Sequence, residues 1–378
     1  MENKRVNFTY IDILRIFSMF SVVGLHTVAD NLRFYRLTTN WHFANIVTSL
    51  LSIAVPVFFM ISGALILSSP KAASLKYTYK KRLTKILVPF LVWSLLAILY
   101  YFLIGYFFYG KKVNFEPTIY RLTHLLGQPV TIHLWFVYAL VPLYILSPIL
   151  KVLVDNMSEK TAKYALFIWF FFSSVMLTVA RLVDPEIKET VMLSYNYNLD
   201  FMDGYIGYFI LGYYLHNTKR KFSCDILLSV IVICYTLIFG GTWIYQNMCT
   251  DYFEGFKVYS GTFILVMSVA VFLFVKQLCE NHEFKRGTLA RIKFFSSVSY
   301  MVYLVHNLLI HYMSINEWIV IENIFNTVLR FVIVCAVSVI LTVLLGSTKA
   351  TSYVFTGVDY KTACKTFNLQ YLFGRKEK

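Results

Sequence analysis

The sequence predicts an all-α, polytopic membrane protein of about ten transmembrane helices, with both termini in the cytoplasm. Three observations predict it. Hydrophobic residues make up 58% of the 378 residues and charged residues only 15%, at a mean hydropathy of +0.62. A water-soluble chain carries about a quarter charged residues. The apolar residues gather into separate runs of spanning length, and Lys and Arg concentrate in alternate connections. This composition excludes a cytosolic enzyme, a disordered chain and a secreted disulfide scaffold. The six cysteines form no CxxC or other metal-binding spacing and read as small packing residues, so neither a disulfide framework nor a metal site is expected.

A spanning helix needs roughly 20 mostly apolar residues. The runs lie at 8–29, 44–68, 83–109, 132–153, 163–183, 204–217, 225–246, 258–280, 297–317 and 325–346. The first is interrupted by Asp12 and Arg15 and leads into further spans, so it does not read as a cleaved signal peptide. The run at 204–217 is short and glycine-rich. With the N-terminus inside, the cytoplasmic pieces hold most of the 35 Lys and Arg, among them Lys80, Lys81, Arg82, Lys85, Lys219, Arg220, Lys221 and Lys276. The outer side holds nine, including Arg33, Arg36, Lys257 and Arg330. That bias accounts for the net charge of +15 without any nucleic-acid partner. The chain divides into a transmembrane domain at 1–348 and a polar, basic cytoplasmic tail at 349–378, read as a solvated tail.

Ionisable groups are expensive in a bilayer and mark functional positions. In the first span Asp12, Arg15 and His26 fall on one helix face, within an arc of about 80°. Asp12 and Arg15 are one turn apart and can pair, while His26 lies about 16 Å further along the helix. Asp30 follows His26 by one turn. Before the third span, Arg82 and Lys85 stand one helical turn apart, suited either to a phosphate-rich ligand or to ordinary anchoring by snorkelling cations. The fourth span opens with His133-Leu134-Trp135-Phe136; an interfacial aromatic belt accounts for Trp135 and Phe136 but not for His133. The ninth carries Ser299, Tyr300, Tyr303, His306 and Asn307 as one polar stripe, read either as interhelical hydrogen bonding or as cavity lining. His311 and Arg330 fall near the outer boundary and read as surface.

These residues together resemble acyltransferase family 3, the bacterial integral-membrane acyltransferases that modify carbohydrates. The resemblance rests on Tyr10-Ile-Asp12-Ile-Leu-Arg15 with His26, and on Phe58-Phe59-Met60-Ile61-Ser62-Gly63. It continues through Arg82 and Lys85 running into Pro89, His133-Leu134-Trp135-Phe136, Gly207-Tyr208-Phe209-Ile210-Leu211-Gly212, and Ser299-Tyr300-Met-Val-Tyr303-Leu-Val-His306. It covers about residues 8 to 310. Lys85 departs from the family, which often has arginine there; lysine keeps the charge and loses bidentate phosphate geometry.

The resemblance implies a multi-pass protein of a bacterial cell membrane that passes an acyl group, most often acetyl, from a cytoplasmic acyl-CoA such as acetyl-CoA. The acceptor is a hydroxyl of a cell-surface glycan or a lipid-linked precursor. Arg15, Arg82 and Lys85 then hold the nucleotide phosphates. His26 serves as general base, or takes the acyl group transiently itself. Asp30 orients His26, and His133, Tyr303 and His306 position the acceptor or stabilise the oxyanion. The alternative is a transporter of a glycan precursor or small metabolite, for which the short run at 204–217 is a possible broken helix. The sequence leaves the acceptor, the acyl group and the oligomeric state open.

Overall fold

A computed structural model describes residues 8–107, 115–183, 204–248 and 255–371. Lys4, Arg5, Lys111, Lys112, Lys188, Cys249, Arg375, Lys376 and Lys378, which entered the charge and cysteine readings, lie outside the described residues. So does the whole connection at 184–203. The described chain is helical throughout, and every one of the ten apolar runs forms helix.

The helices are α1 (Thr9–Phe34), α2 (Thr39–Leu51), α3 (Ala54–Leu67), α4 (Thr84–Phe107), α5 (Glu116–Thr123), α6 (Trp135–Asn156), α7 (Glu159–Phe170), α8 (Met176–Leu182), α9 (Ile206–Asn217), α10 (Cys224–Met248), α11 (Thr262–Glu280), α12 (Arg286–Ile315), α13 (Ile324–Gly346) and α14 (Tyr360–Thr366). Start signals are local. Thr38, Ser158, Asn323 and Asp359 cap α2, α7, α13 and α14 by accepting a backbone N–H.

Eight segments among the described residues are long and apolar enough to cross a membrane, α2 and α3 together forming one and α7 and α8 another. The expected count of about ten falls short at two places. Helix α9 has 12 residues and rises about 18 Å, too little to cross a hydrocarbon core alone. Helix α12 has 30 residues, length enough, but its polar stripe and basic start dilute its hydropathy.

Glycine sets the closest packing. Helices α3 and α9 touch backbone to backbone. A Cβ on Gly63 would lie 1.7 Å from the Phe209 carbonyl oxygen, and one on Gly212 would lie 2.0 Å from that of Met60. Both family-like glycine motifs are therefore a helix–helix seam. Leu95, Leu99, Leu103, Ile149, Ile233, Leu237, Ile340 and Leu344 point outward and form a face suited to lipid.

Cross-links fix the ends of the bundle. Asn217 Nδ2 donates to Ser68 Oγ at 3.3 Å, and Ser297 Oγ to the Thr366 carbonyl at 3.3 Å. The start of α1, the end of α3, the end of α9, the start of α12 and α14 thus share one end, which also carries Lys219, Arg220, Lys221 and Lys276. The described N- and C-terminal residues are at this same basic end.

Residues 349–371 fold back onto the bundle, where a solvated tail was expected. Trp93 Nε1 donates to the Phe355 carbonyl at 3.1 Å. Gly357 takes φ +71° beside the Lys85 carbonyl, a conformation and a spacing that exclude a Cβ. Phe367 is buried against Gly346 and Phe294. The five described cysteines are free thiols.

Candidate active site in the bundle interior

Three histidines from distant stretches of chain meet inside the bundle. His26 comes from α1, His133 from the turn Ile132–Leu134 that leads into α6, and His306 from α12. Ring centroids are 5.3 Å apart for His26–His306, 4.8 Å for His133–His306 and 6.2 Å for His26–His133. Helices α1 and α12 run parallel, so one turn-by-turn match brings Arg15 to Ser296 and, about 16 Å on, His26 to His306.

Hydrogen bonds distinguish the three rings. His306 Nδ1 faces the carbonyls of Tyr303 at 2.7 Å and Val302 at 3.2 Å. Carbonyls only accept, so Nδ1 carries the proton and Nε2 presents a lone pair. That Nε2 is buried and has no hydrogen-bond partner. His133 is committed at both nitrogens. Nε2 donates to the Leu304 carbonyl at 3.3 Å and Nδ1 accepts from Thr131 Oγ1 at 3.0 Å. Tyr303 donates its hydroxyl to the His133 carbonyl at 2.5 Å. His26 makes no hydrogen bond among the described residues and lines a cavity.

That cavity, of about 530 Å³, opens toward the end of the bundle opposite the basic one and is also lined by Asp30, Trp135, Tyr259, Asn307 and His311. Trp135 stacks on Tyr259 at 5.6 Å and 17°. Asp30 is exposed on the cavity rim, within electrostatic reach of Arg330, and no hydrogen bond joins it to His26.

Two residues read as surface are not. Arg330 is 3% exposed and donates to the Ile310 carbonyl at 2.5 Å and to Ser314 Oγ, both on α12. His311 is half-buried, with Nδ1 bonded to the Tyr100 hydroxyl at 2.9 Å.

Toward the basic end, Arg15 Nη1 donates to Ser296 Oγ at 2.9 Å and pairs with Asp12 at 3.4 Å, while Ser296 Oγ donates to Asp12 at 2.5 Å. Arg82 and Lys85 differ in exposure, although regular helical spacing puts them one turn apart. Residues Thr78–Leu83 form a widened π-helical turn. Arg82 is turned partly inward, its guanidinium 5.2 Å from the Tyr77 ring and its Nε buried without a partner; Lys85 is exposed.

Between the two groups runs a line of hydroxyls that the sequence reading missed in part. Tyr144 faces Ser62 and lies within coulombic range of both Arg82 and Arg15. Tyr300, which donates to the Ile86 carbonyl at 2.8 Å, interacts with Tyr144 and stacks on Tyr303 at 6.3 Å. Tyr144 is an isolated polar residue in an apolar run, and that was its one available signal.

No group of three or more His, Cys, Asp or Glu side chains among the described residues is placed to hold a metal ion. A family model described as an acyltransferase domain, Acyl_transf_3, matches residues 8–347. No curated protein and no solved structure matches the chain. The chain belongs to acyltransferase family 3, and it is a membrane acyltransferase.

Proposed function

We propose that this member of acyltransferase family 3 transfers an acyl group, acetyl first among them, from a cytoplasmic acyl-CoA to a hydroxyl of a cell-surface glycan or its precursor, in a bacterial cell membrane. The observation that carries the reading is the placement of His26. Its ring faces two other imidazoles in the bundle interior and borders a cavity at one end. Arg15 lies toward the other end, about 16 Å below it along α1, and Arg82 shares its electrostatic reach to Tyr144.

The chemistry follows from what each atom is free to do. The acceptor hydroxyl enters from the outer cavity, and the thioester comes up from the basic end past Tyr144 and Tyr300. His26 takes the hydroxyl proton as the oxygen attacks the thioester carbonyl, which requires the imidazole to start neutral. His306 Nε2, the second uncommitted lone pair, is placed to share or relay that proton. The tetrahedral intermediate collapses, the C–S bond breaks, and the proton held by imidazole neutralises the departing CoA thiolate. In the two-step variant His26 attacks first and carries the acyl group to the hydroxyl. His133, bonded at both nitrogens, positions Tyr303 and His306. Arg15, held by Asp12 and Ser296, and Arg82 receive the diphosphate, with exposed Lys85 at the margin.

The test is transfer of label from radiolabelled acetyl-CoA to glycan in membranes, with mass spectrometry of the glycan. Wild type adds the acyl increment, and His26→Ala, still inserted and folded, loses about 10²–10⁴-fold in rate. Undiminished transfer by His26→Ala, or solute movement with no acyl donor, overturns the reading.

A further inference from the structure

A cavity larger than the one at His26 lies elsewhere, at the basic end, and the mechanism above does not use it. It is a cleft of about 1130 Å³ between the start of α1, the end of α9, the end of α11 and the start of α12. One wall is an aromatic stack: Phe8 lies on His216 at 5.6 Å and 25°, and Tyr10 on the same ring at 6.0 Å and 27°. The Tyr10 hydroxyl bonds His216 Nδ1. Phe8, at the outside of the stack, remains 41% exposed.

The facing rim is the triplet Lys219-Arg220-Lys221, and two buried side chains of α11 clamp it on either side. Lys276 donates to the carbonyls of Leu215, His216 and Thr218 at 2.8–3.0 Å. Gln277 accepts from Phe222 N at 2.7 Å and donates to the Phe222 carbonyl at 2.9 Å. A solvated basic loop needs no such anchorage. Here a buried lysine and a buried glutamine hold an exposed cationic loop in a fixed place. Glu280 and Glu283 also line the cleft; Glu280 lies 3.9 Å from Lys276, and Arg220 makes an exposed pair with Glu159 at 3.4 Å. Lys219 and Lys221 are the exposed cations that face the opening.

We infer that this cleft holds the adenosine 3′-phosphate end of the acyl-CoA, with the base stacked at Phe8 and the 3′-phosphate at the Lys219–Lys221 triplet. The inference rests on the acyl-CoA reading of the active site and extends it to a second site. Distances along α1 agree with the shape of the ligand. Tyr10 lies about 7.5 Å below Arg15, and Arg15 about 16 Å below His26. An extended phosphopantetheine arm has the length of about four residues of extended chain, roughly 15 Å. A diphosphate at Arg15 and Arg82 therefore puts the thioester at His26 and leaves the adenosine to turn into the cleft. Leu289, on the far wall, stands two turns below Ser296 on the same face of α12, so the cleft reaches beneath the arginine network.

The test compares coenzyme A with 3′-dephospho-coenzyme A by equilibrium binding to the purified full-length protein in detergent. Wild type should prefer coenzyme A by about tenfold or more, because a phosphate facing fixed cations is held by charge-assisted hydrogen bonds. Lys219→Glu with Lys221→Glu should weaken coenzyme A by about tenfold and change 3′-dephospho-coenzyme A by less than about threefold. Both residues are exposed and outside helices, and the retained dephospho-ligand doubles as the check on folding. Equal affinity of wild type for the two ligands overturns the inference. So does equal weakening of both by the double variant, or no weakening of either, while coenzyme A binding by wild type leaves the active-site reading standing. Binding of neither ligand to wild type removes that reading, and this inference with it.

Discussion

Gly63→Ala tests whether the α3–α9 seam supports the site. The added Cβ would lie 1.7 Å from the Phe209 carbonyl oxygen and 2.5 Å from its carbon. Real Cβ contacts almost never fall under 3.0 Å, so the helices must part by at least 1.3 Å. The obstacle is backbone, and no rotamer change relieves it. Overpacking of this kind costs about 1–3 kcal/mol, and a backbone clash belongs at the upper end. The shift also has a path to the histidines. Phe59, four residues before Gly63, stacks on Tyr205 at 4.4 Å and meets Phe136 at 4.7 Å, and Phe136 meets Tyr303 at 5.7 Å. A misplacement of about 1 Å at reacting groups costs on the order of 10²-fold in rate. The control is Gly105→Ala, where a Cβ meets nothing within 4 Å and helix propensity favours alanine by about 1 kcal/mol. The assay is the half-life of monodisperse protein on heating in detergent, together with the transfer rate at low temperature. Gly63→Ala should lose half-life and activity while Gly105→Ala keeps both. Equal half-lives and rates for the two variants would refute the seam argument.

Two further substitutions separate positioning from stability. Tyr303→Phe removes the hydroxyl that donates to the His133 carbonyl at 2.5 Å; it should cost about 1 kcal/mol of stability and lower kcat several-fold. Steady-state kinetics decide this, because a change confined to the donor KM contradicts a positioning role. Lys276→Met leaves three carbonyls without their donor, should cost about 1–3 kcal/mol, and should shorten the heating half-life, with partial recovery in Lys276→Arg. An unchanged half-life contradicts the clamp.

What the sequence made legible follows from periodicity. Ten apolar runs became helices, and the face shared by Asp12, Arg15 and His26 is real, since Arg15 turns to Ser296 and His26 to His306, both on α12. Convergence was not readable from spacing. His133 and His306 lie more than a hundred residues from His26, and only the family resemblance put them together. Local geometry also hid things. Arg82 sits partly buried beside Tyr77 on the widened turn at Thr78–Leu83 while Lys85 stays exposed, and nothing in the run Lys80-Lys81-Arg82 announces it. Arg330 looked like an outer-loop cation because its partners, the Ile310 carbonyl and the Ser314 hydroxyl, reach it only after α12 and α13 have packed. Phe367 and Gly357 looked like tail residues, but Phe367 packs against Gly346 at the end of α13 and Gly357 against Lys85, far back along the chain.

Accounting for both nitrogens of each ring separates structure from chemistry within the histidine cluster. A buried polar group without a partner costs stability, so a fold that serves packing alone satisfies it. His133 meets that standard, bonded at Nδ1 and Nε2. His306 meets it at one nitrogen only, and its Nε2 is left buried and unmatched. His26 is bonded at neither among the described residues and borders the cavity instead. Three imidazoles within 6.2 Å of one another therefore present a graded series, from fully committed to fully available. Of the three, His26 alone lines the cavity, and His306 sits buried against its ring at 5.3 Å with Nε2 unmatched. A structural cluster would distribute its hydrogen bonds to spare every ring. This one concentrates them on His133 and leaves the other two each with a ring nitrogen that no protein group engages among the described residues.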